Sequence, residues 1–280
     1  MSNLTTNTAS LLKPEQVGPL IVEPLTQESV AFQASTLVRT DSHEYRFPRI
    51  VGDPDTGWVA EGAELPVDDL DVDEVLVTPK KVAGLTVISN ELAADSSPEA
   101  TQVIGQRLVN SLKRKVDAAW FAATTANGPA GLGSITPTLV YGGAAYSNVD
   151  AFLEAQAGAE AAGASVSVFV THPTTALALA KLKKATGSNE PLLQADSTKP
   201  AQRLIAGVPL LTSPDAPSDG TVWGIPKPLA FVVLRKDVEV VVDSSAFFTS
   251  DRVAVRVVMR VGFAFPHEAA LVKVLEDVAP

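Results

Sequence analysis

Few residue patterns in this chain could support catalysis. The segment GPAGLG, residues 128–133, has the glycines of a phosphate-binding loop, but it follows a predicted helix and lacks the GxxxxGK[ST] order. The three histidines, His43, His172 and His267, lie far apart, and none has a metal-binding spacing to another ligand. The chain has no cysteine, which excludes disulfides, thiolate metal sites and cysteine nucleophiles. We therefore predict no catalytic, cofactor or metal site.

Carboxylates are concentrated between Ile50 and Pro79. This segment holds nine acidic residues and no Lys or Arg: Asp53, Asp55, Glu61, Glu64, Asp68, Asp69, Asp71, Asp73 and Glu74. They lack the order of a calcium-binding loop, so solvated carboxylates are the simpler interpretation. Within the segment, GWVAEGAELPVDD places Trp58 among glycines, a proline and acids. A large aromatic residue in so polar a segment predicts a packing partner outside it.

The composition narrows the classes of function. Hydrophobic residues make up 46% of the 280 residues, which is ordinary for a globular protein with a sizeable core. The net charge of −10 disfavours direct contact with nucleic acid or membrane phosphates, but not a container that encloses DNA without gripping it. The first residues, MSNLTTNTASLLKPEQ, do not read as a secretory signal, and no apolar run is long enough to span a membrane.

Hydrophobic periodicity predicts an α+β fold of unusual proportions. Strands over 44–52 and 75–89, about 20 residues apart, predict a long open hairpin. Residues 97–125 predict a strut-like helix, with apolar side chains recurring mostly every fourth residue. Alternating helices and strands over 134–225 indicate a compact α/β subdomain, in which residues 204–213 form either a strand pair or a bent strand. From residue 228 the chain is predicted to be mainly β, with strands over 228–235 and 238–243 and a long strand over 252–265.

Three arginines share one face of that long strand. Arg252, Arg256 and Arg260 alternate with an apolar set that has the opposite parity. One interpretation is the polar face of a half-exposed sheet, and the other is a row of ion pairs with an acidic neighbour. Both remain open at the level of sequence.

The predicted hairpin needs a surface to lie on. Strands of about 14 residues would extend roughly 45 Å, and an isolated two-stranded hairpin is marginally stable in water. We therefore expect self-assembly, with Trp58 as a buried anchor at the contact between copies.

The order of these motifs resembles the major capsid protein family of tailed bacteriophages, which has the Hong Kong 97-type fold. The resemblance rests on GWVAEGAELPVDD, TPKKVAGLTVISNELAADSS, the long helix ending in DAAWF, the GPAGL exit, LIAGVPLLTSPDAP and FFTSDRVAVRVVMRVGFAFPHEAALVKV. It covers roughly residues 15–277. No single motif is diagnostic of the family, but the loop motif followed by the long helix is fairly specific for it as an ordered set.

The resemblance implies a division of the chain into five parts. They are an N-terminal arm over residues 1–43, an extended loop over 44–91, a peripheral domain with the spine helix over 92–128, an axial domain over 129–225, and the peripheral β-sheet and C-terminus over 226–280. The extended loop would lie across a neighbouring subunit.

The resemblance also implies a function without catalysis. The chain would form hexamers and pentamers of an icosahedral virion capsid, assembled in the cytoplasm of the bacterial host around double-stranded DNA that it does not read. Only about 40 residues precede the loop, so the resemblance implies a separate scaffolding protein or a short arm that does its job. A portal and decoration proteins are the other implied partners. The alternative is the shell of an encapsulin-like nanocompartment. A third hypothesis is a soluble α/β hydrolase or binding domain.

One departure from the family concerns cross-linking. Some members join subunits through a loop lysine and an asparagine, but residues 51–79 contain no lysine, so we expect no covalent cross-link. We expect charge pairing between copies instead. The acidic residues would be Glu61, Glu64, Asp68 and Asp69 of the loop, paired with Arg252, Arg256, Arg260 or Lys113 of a neighbour. Trp58 would be the aromatic anchor of the same contact.

Overall fold

The computed structural model describes residues 29–52, 58–59, 62, 71–89, 98–143, 145–185, 188–193 and 203–276. Its helices are α1 (Val30–Ala34), α2 (Pro98–Phe121), α3 (Asp150–Ala161) and α4 (Pro173–Ala180). Its strands are β1 (Thr36–Arg39), β2 (Tyr45–Gly52), β3 (Asp71–Val77), β4 (Lys80–Ser89), β5 (Thr138–Tyr141), β6 (Val168–Thr171), β7 (Arg203–Ile205), β8 (Val208–Thr212), β9 (Val222–Ile225), β10 (Phe231–Phe247), β11 (Arg252–Ala264) and β12 (Val272–Leu275).

A four-stranded sheet has the order β1-β10-β11-β4. β1 is parallel to β10, whereas β10, β11 and β4 are antiparallel neighbours. The prediction of separate strands over 228–235 and 238–243 is wrong, because β10 runs continuously from Phe231 to Phe247. Shifts in register between Leu234 and Glu239 absorb the charged residues at the point where the sequence suggests a turn.

Helix α2 is the predicted long helix and spans 24 residues, about 36 Å at 1.5 Å per residue. Leu112, Val116 and Trp120 are buried, as their spacing predicts. The helix ends at Phe121 rather than at residue 125, because the chain then turns back on it. There the N–H of Gly131 donates to the carbonyl oxygen of Ala122 at 3.0 Å.

A six-stranded sheet has the order β5-β12-β9-β6-β8-β7, and α3 packs on β5 and β12. Residues 204–213, which suggested either a strand pair or a bent strand, form the pair β7 and β8. β12 comes from the C-terminal region 226–280, yet it pairs with β5 and β9 of the region 129–225. Strand β12 therefore connects the region 226–280 to the region 129–225.

One hydrophobic cluster joins the two sheets, and a second cluster lies between the six-stranded sheet and α3. Trp120 and Val116 of α2 pack in the same cluster as Met259 of β11 and Trp223 of β9. The division into peripheral and axial domains remains a prediction, and its two halves have a common interior.

The predicted hairpin is shorter than the sequence suggests. β2 pairs with β3 in a two-stranded antiparallel ribbon, and β4 leaves the ribbon to pair with β11. The expectation of one return strand over 75–89 and of about 14 residues per strand is therefore wrong. The break falls at Thr78 and Pro79, where proline cannot donate to a ladder.

Candidate interaction surfaces

The ribbon formed by β2 and β3 is held at its base by its own chain. Phe47 and Val77 are buried with Val233 and Ala264 of the four-stranded sheet, and the ring centroid of Phe47 lies 4.7 Å from that of Phe231. The alternation of side chains along a strand directs this set to one face of the ribbon. The opposite face is left for other contacts.

We call that opposite face the outer ribbon face; it consists of Arg46, Pro48, Val72, Glu74 and Leu76. Register places Arg46 opposite Leu76 and Pro48 opposite Glu74. Val72 is 55% exposed and Leu76 is 50% exposed. Arg46 pairs with Glu74 across the strands at 2.6 Å. The outer ribbon face therefore exposes the apolar side chains of Val72 and Leu76. Its one described cation, Arg46, is neutralised by Glu74.

Trp58 belongs to the segment between β2 and β3 and has a relative exposure of 107%. Nothing in the described part of its own chain covers the indole, whereas Trp120 and Trp223 are buried. Of the other loop residues predicted to make contacts, Glu61, Glu64, Asp68 and Asp69 lie outside the described residues. Their role remains a prediction.

The predicted arginine row lies on the solvent side of the four-stranded sheet. Arg252 and Arg256 are exposed and Arg260 is half-buried, while Val253, Val255, Val257, Met259 and Val261 are buried on the other side. This distribution confirms the predicted separation of faces. The outcome depends only on strand periodicity, which is why the sequence was sufficient to predict it.

Register adds two lysines that the sequence pattern did not reveal. Lys236 of β10, Arg260 of β11 and Lys81 of β4 are direct neighbours across three strands. We call the resulting surface the basic sheet face; it consists of Lys81, Leu85, Val87, Lys236, Arg252, Arg256 and Arg260. Like charges placed side by side on a sheet repel each other, so this arrangement favours an anionic partner.

Intrachain carboxylates neutralise only part of the basic sheet face. Lys236 donates to Glu239 at 2.7 Å, and this hydrogen bond, together with the nearby charges of Lys236 and Arg256, lowers the pKa of Glu239. Within the described part of the chain, Arg252, Arg260 and Lys81 form no ion pair. The surface therefore keeps a positive excess on a chain whose net charge is −10.

Sequence reasoning missed Asp117, a buried carboxylate on α2. It accepts hydrogen bonds from the Ser29 hydroxyl at 2.6 Å and from the N–H groups of Ala31 at 3.1 Å and Val30 at 3.3 Å. Burial raises its pKa, although these hydrogen bonds and the charge of Lys113 act in the opposite direction. An aspartate directly beside a buried apolar position of a helix was the available signal.

The last part of the predicted N-terminal arm packs against the rest of the chain. The described part of the predicted arm over 1–43 forms α1 and β1, with Val30 and Phe32 buried in the main core. Residues 1–28 lie outside the described residues.

The groups that first suggested chemistry have local structural roles. The Nδ1 of His172 accepts from the N–H of Thr174 at the start of α4, and the Nε2 of His267 lies 3.0 Å from the carbonyl oxygen of Ala162. Within the described residues, no group of three or more potential ligands could hold a metal ion. No described helix is both long and apolar enough to cross a membrane.

The glycines of GPAGLG allow close packing against the end of α2. A Cβ at Gly131 would lie 2.3 Å from the carbonyl oxygens of Ala119 and Trp120, and one at Gly133 would lie 2.6 Å from the nitrogen of Ala123. The segment is therefore a helix exit, as its position after a helix indicates.

Comparison with known proteins decides the family. The model of the phage capsid family matches residues 9–275, which is nearly the whole chain. The chain belongs to the phage capsid family. A capsid polyprotein of Pseudomonas phage PAJU2 is 35% identical over 60 residues, which is 21% of this chain and 9% of that polyprotein.

Solved structures show the fold of this capsid protein independently. The capsid of a native GTA particle matches with a TM-score of 0.71 at 21% identity, covering 99% of each chain. A structure from Mycobacterium phage Adephagia matches with a TM-score of 0.73 at 16% identity, covering 96% of this chain and 99% of that one. A structure from Microbacterium phage Oxtober96 matches with a TM-score of 0.71 at 18% identity over 88% and 90%.

The predicted α+β Hong Kong 97-like fold is confirmed by these matches. The assignment of the ribbon to the extended loop and of α2 to the spine helix of that fold remains a prediction. Family and fold indicate a structural capsid shell protein of phage type rather than an enzyme.

Proposed function

We propose that this capsid protein forms hexamers and pentamers of a closed icosahedral shell, in which the ribbon of each subunit lies on the basic sheet face of a neighbour. The shell encloses double-stranded DNA without sequence-specific binding. Its assembly takes place in the host cytoplasm, with a separate scaffolding protein, a portal and decoration proteins as further partners.

The observation that carries the proposal is the exposure of Trp58. The indole of Trp58 is fully exposed in one subunit, so a large apolar area is in contact with water. Tryptophan is enriched among the residues that anchor protein interfaces. Val72 and Leu76 on the outer ribbon face extend the uncovered apolar surface toward the body. A neighbour is the simplest source of the missing contact.

Charge supports the choice of the basic sheet face as the docking surface. The loop between Ile50 and Pro79 carries only acidic charges, whereas the basic sheet face carries Arg252, Arg256, Arg260, Lys81 and Lys236. Both surfaces also contain exposed aliphatic side chains, including Leu85 at 63% exposure. Complementary charge steers association and fixes register, while the apolar area supplies affinity.

The direct test is the size and form of the purified protein. We expect electron micrographs to show closed particles and mass measurement to find multiples of the 29.3 kDa chain. A monomer under all conditions, including after expression with the neighbouring phage genes, would contradict the proposal. Nuclease-resistant DNA inside particles formed during infection would support DNA packaging, whereas a protein cargo would support the nanocompartment alternative.

A matched pair of variants tests the ribbon contact. Leu76→Asp places a charge on the outer ribbon face, and Leu177→Asp places the same charge on an equally exposed position of α4. We expect Leu76→Asp to lose particle formation while its melting temperature stays near that of the wild type, and Leu177→Asp to assemble normally. Equal assembly of both variants would exclude the ribbon from the contact.

A further inference from the structure

β4 is a long edge strand whose outer edge has no partner strand among the described residues. It pairs with β11 over ten consecutive residues without a bulge, so its free edge is regular. Proteins normally protect such an edge with charges, prolines or bulges. The protective residues all lie at one end: Pro79 directly precedes β4, and Lys80 and Lys81 begin it.

The remaining eight residues of β4, Val82–Ser89, carry no charge. Leu85 and Val87 point to solvent on the basic sheet face, and Leu85 is 63% exposed. A regular, uncharged and partly apolar edge is a template for an added strand. The edge is therefore expected to be covered in the functional state.

We propose that the outer edge of β4 pairs antiparallel with the β4 of a second copy across a two-fold axis at Leu85. In this register Leu85 faces its own counterpart, Ala83 faces the partner subunit's Val87, and Lys81 faces the partner subunit's Ser89. The four-stranded sheets of the two copies join into one sheet of eight strands.

The distribution of charge favours β4 itself over the ribbon as the added strand. Antiparallel pairing places the Lys80 and Lys81 residues of the two copies at opposite ends, roughly 30 Å apart at about 3.3 Å per residue. The uncharged segments then meet each other. The nearest alternative, β3, carries Asp73 and Glu74, which are already paired with Arg49 and Arg46 of β2. Residues 82–89 offer these two carboxylates no cation in exchange.

The contact also has a geometric role that the ribbon contact lacks. A heterologous contact, such as ribbon to neighbouring sheet, closes subunits into rings. A shell needs a second contact that joins one ring to the next. Self-pairing of β4 is isologous and has the two-fold symmetry that such a junction requires.

Cysteine cross-linking tests the pairing, because the chain has no cysteine and any single-cysteine variant forms disulfides only between copies. Leu85→Cys is expected to give disulfide-linked dimers under copper-catalysed oxidation by dissolved oxygen, in shells and in concentrated free subunits. Ala83→Cys and Val87→Cys should cross-link better as a co-assembled mixture than alone. Leu139→Cys, an exposed leucine of the other sheet, is the control and should not cross-link.

Hydrogen exchange on the wild type gives a second readout that needs no variant. We expect the amides of residues 82–89 to gain protection on assembly. Intact shells without Leu85→Cys dimers and without this protection would overturn the pairing and leave the proposed function standing. A chain that never forms shells would instead contradict the proposed function.

Discussion

Asp117 joins the described start of the chain to the middle of α2. Its carboxylate receives the Ser29 hydroxyl and two N–H groups of α1, all in a buried environment. Removal of such an acceptor leaves its donors buried and unsatisfied, which costs about 1–3 kcal/mol for each group. The arrangement fixes α1 and, through it, β1 against the core.

We expect Asp117→Ala to lower the free energy of unfolding by about 2–4 kcal/mol, because three donors lose their acceptor. Urea denaturation of unassembled subunits measures this change. The control is Asp237→Ala, which removes an exposed carboxylate 3.9 Å from Arg39 and should change stability by less than about 0.5 kcal/mol. Equal effects of the two substitutions would show that Asp117 does not hold α1.

The raised pKa of Asp117 predicts a pH dependence with a definite sign. Because the folded protein holds this proton more tightly than the unfolded chain, stability falls as pH rises from about 3.9 through the folded pKa. Asp117→Asn lacks the titrating group. The stability of the wild type relative to this variant should therefore decrease from pH 4 to pH 7 in denaturation experiments. An increase over that range would mean that hydrogen bonding outweighs burial and depresses the pKa.

At the scale of elements, hydrophobic periodicity and the turn residues predicted the main helices and strands, but not which strands pair with each other. The apolar repeat located α2, and strand parity separated Arg252 and Arg256 from the core side of β11. The same patterns placed 75–89 in one strand, because the exchange of partner between Val77 and Lys80 depends on distant residues. Phe47 and Val77 pack on Phe231 and Val233, and such long-range contacts leave no local periodicity.

The candidate surfaces were predictable to a similar degree. Trp58 and the arginine row were visible as a conspicuous aromatic and as an alternating pattern. Lys81 and Lys236 joined the row only through the register of β4 and β10 with β11. Asp117 was not predicted, since its donors lie 86–88 residues earlier in the chain.

The helix exit predicts a steric effect at Gly131. Its missing side chain lets the backbone pass within contact distance of the end of α2, where a Cβ would clash with two carbonyl oxygens. We expect Gly131→Ala to lower the free energy of unfolding by about 1–3 kcal/mol, measured by urea denaturation. Gly84→Ala is the control, since a Cβ there would make only an ordinary contact, 4.0 Å from Leu108. A near-neutral Gly131→Ala would mean that the exit loop relaxes freely.

At the scale of the whole molecule, the proposed assembly depends on two surfaces of each subunit. The acidic loop and the basic sheet face have opposite charge and both expose aliphatic side chains. Individual exposed ion pairs contribute little, and salt screens them, so the stability of a shell comes from their repetition together with apolar contact.

Charge pairing between copies predicts a dependence on salt. We expect the melting temperature of assembled particles to fall between low salt and about 1 M NaCl, because the Debye length shrinks to about 3 Å. Arg252→Gln together with Arg256→Gln should reduce this dependence, whereas Arg203→Gln on the far edge of the other sheet should not. Particles equally stable in low and high salt would exclude charge pairing as a main source of cohesion.

Trp58 offers the most direct measurement of the central claim. The other two tryptophans, Trp120 and Trp223, are buried within the subunit, so quenching of fluorescence by iodide reports mainly on Trp58. We predict strong quenching in dissociated subunits, weak quenching in intact particles, and loss of the difference in Trp58→Phe. Equal quenching of wild-type subunits and particles would show that assembly leaves the indole in water, and would contradict the account.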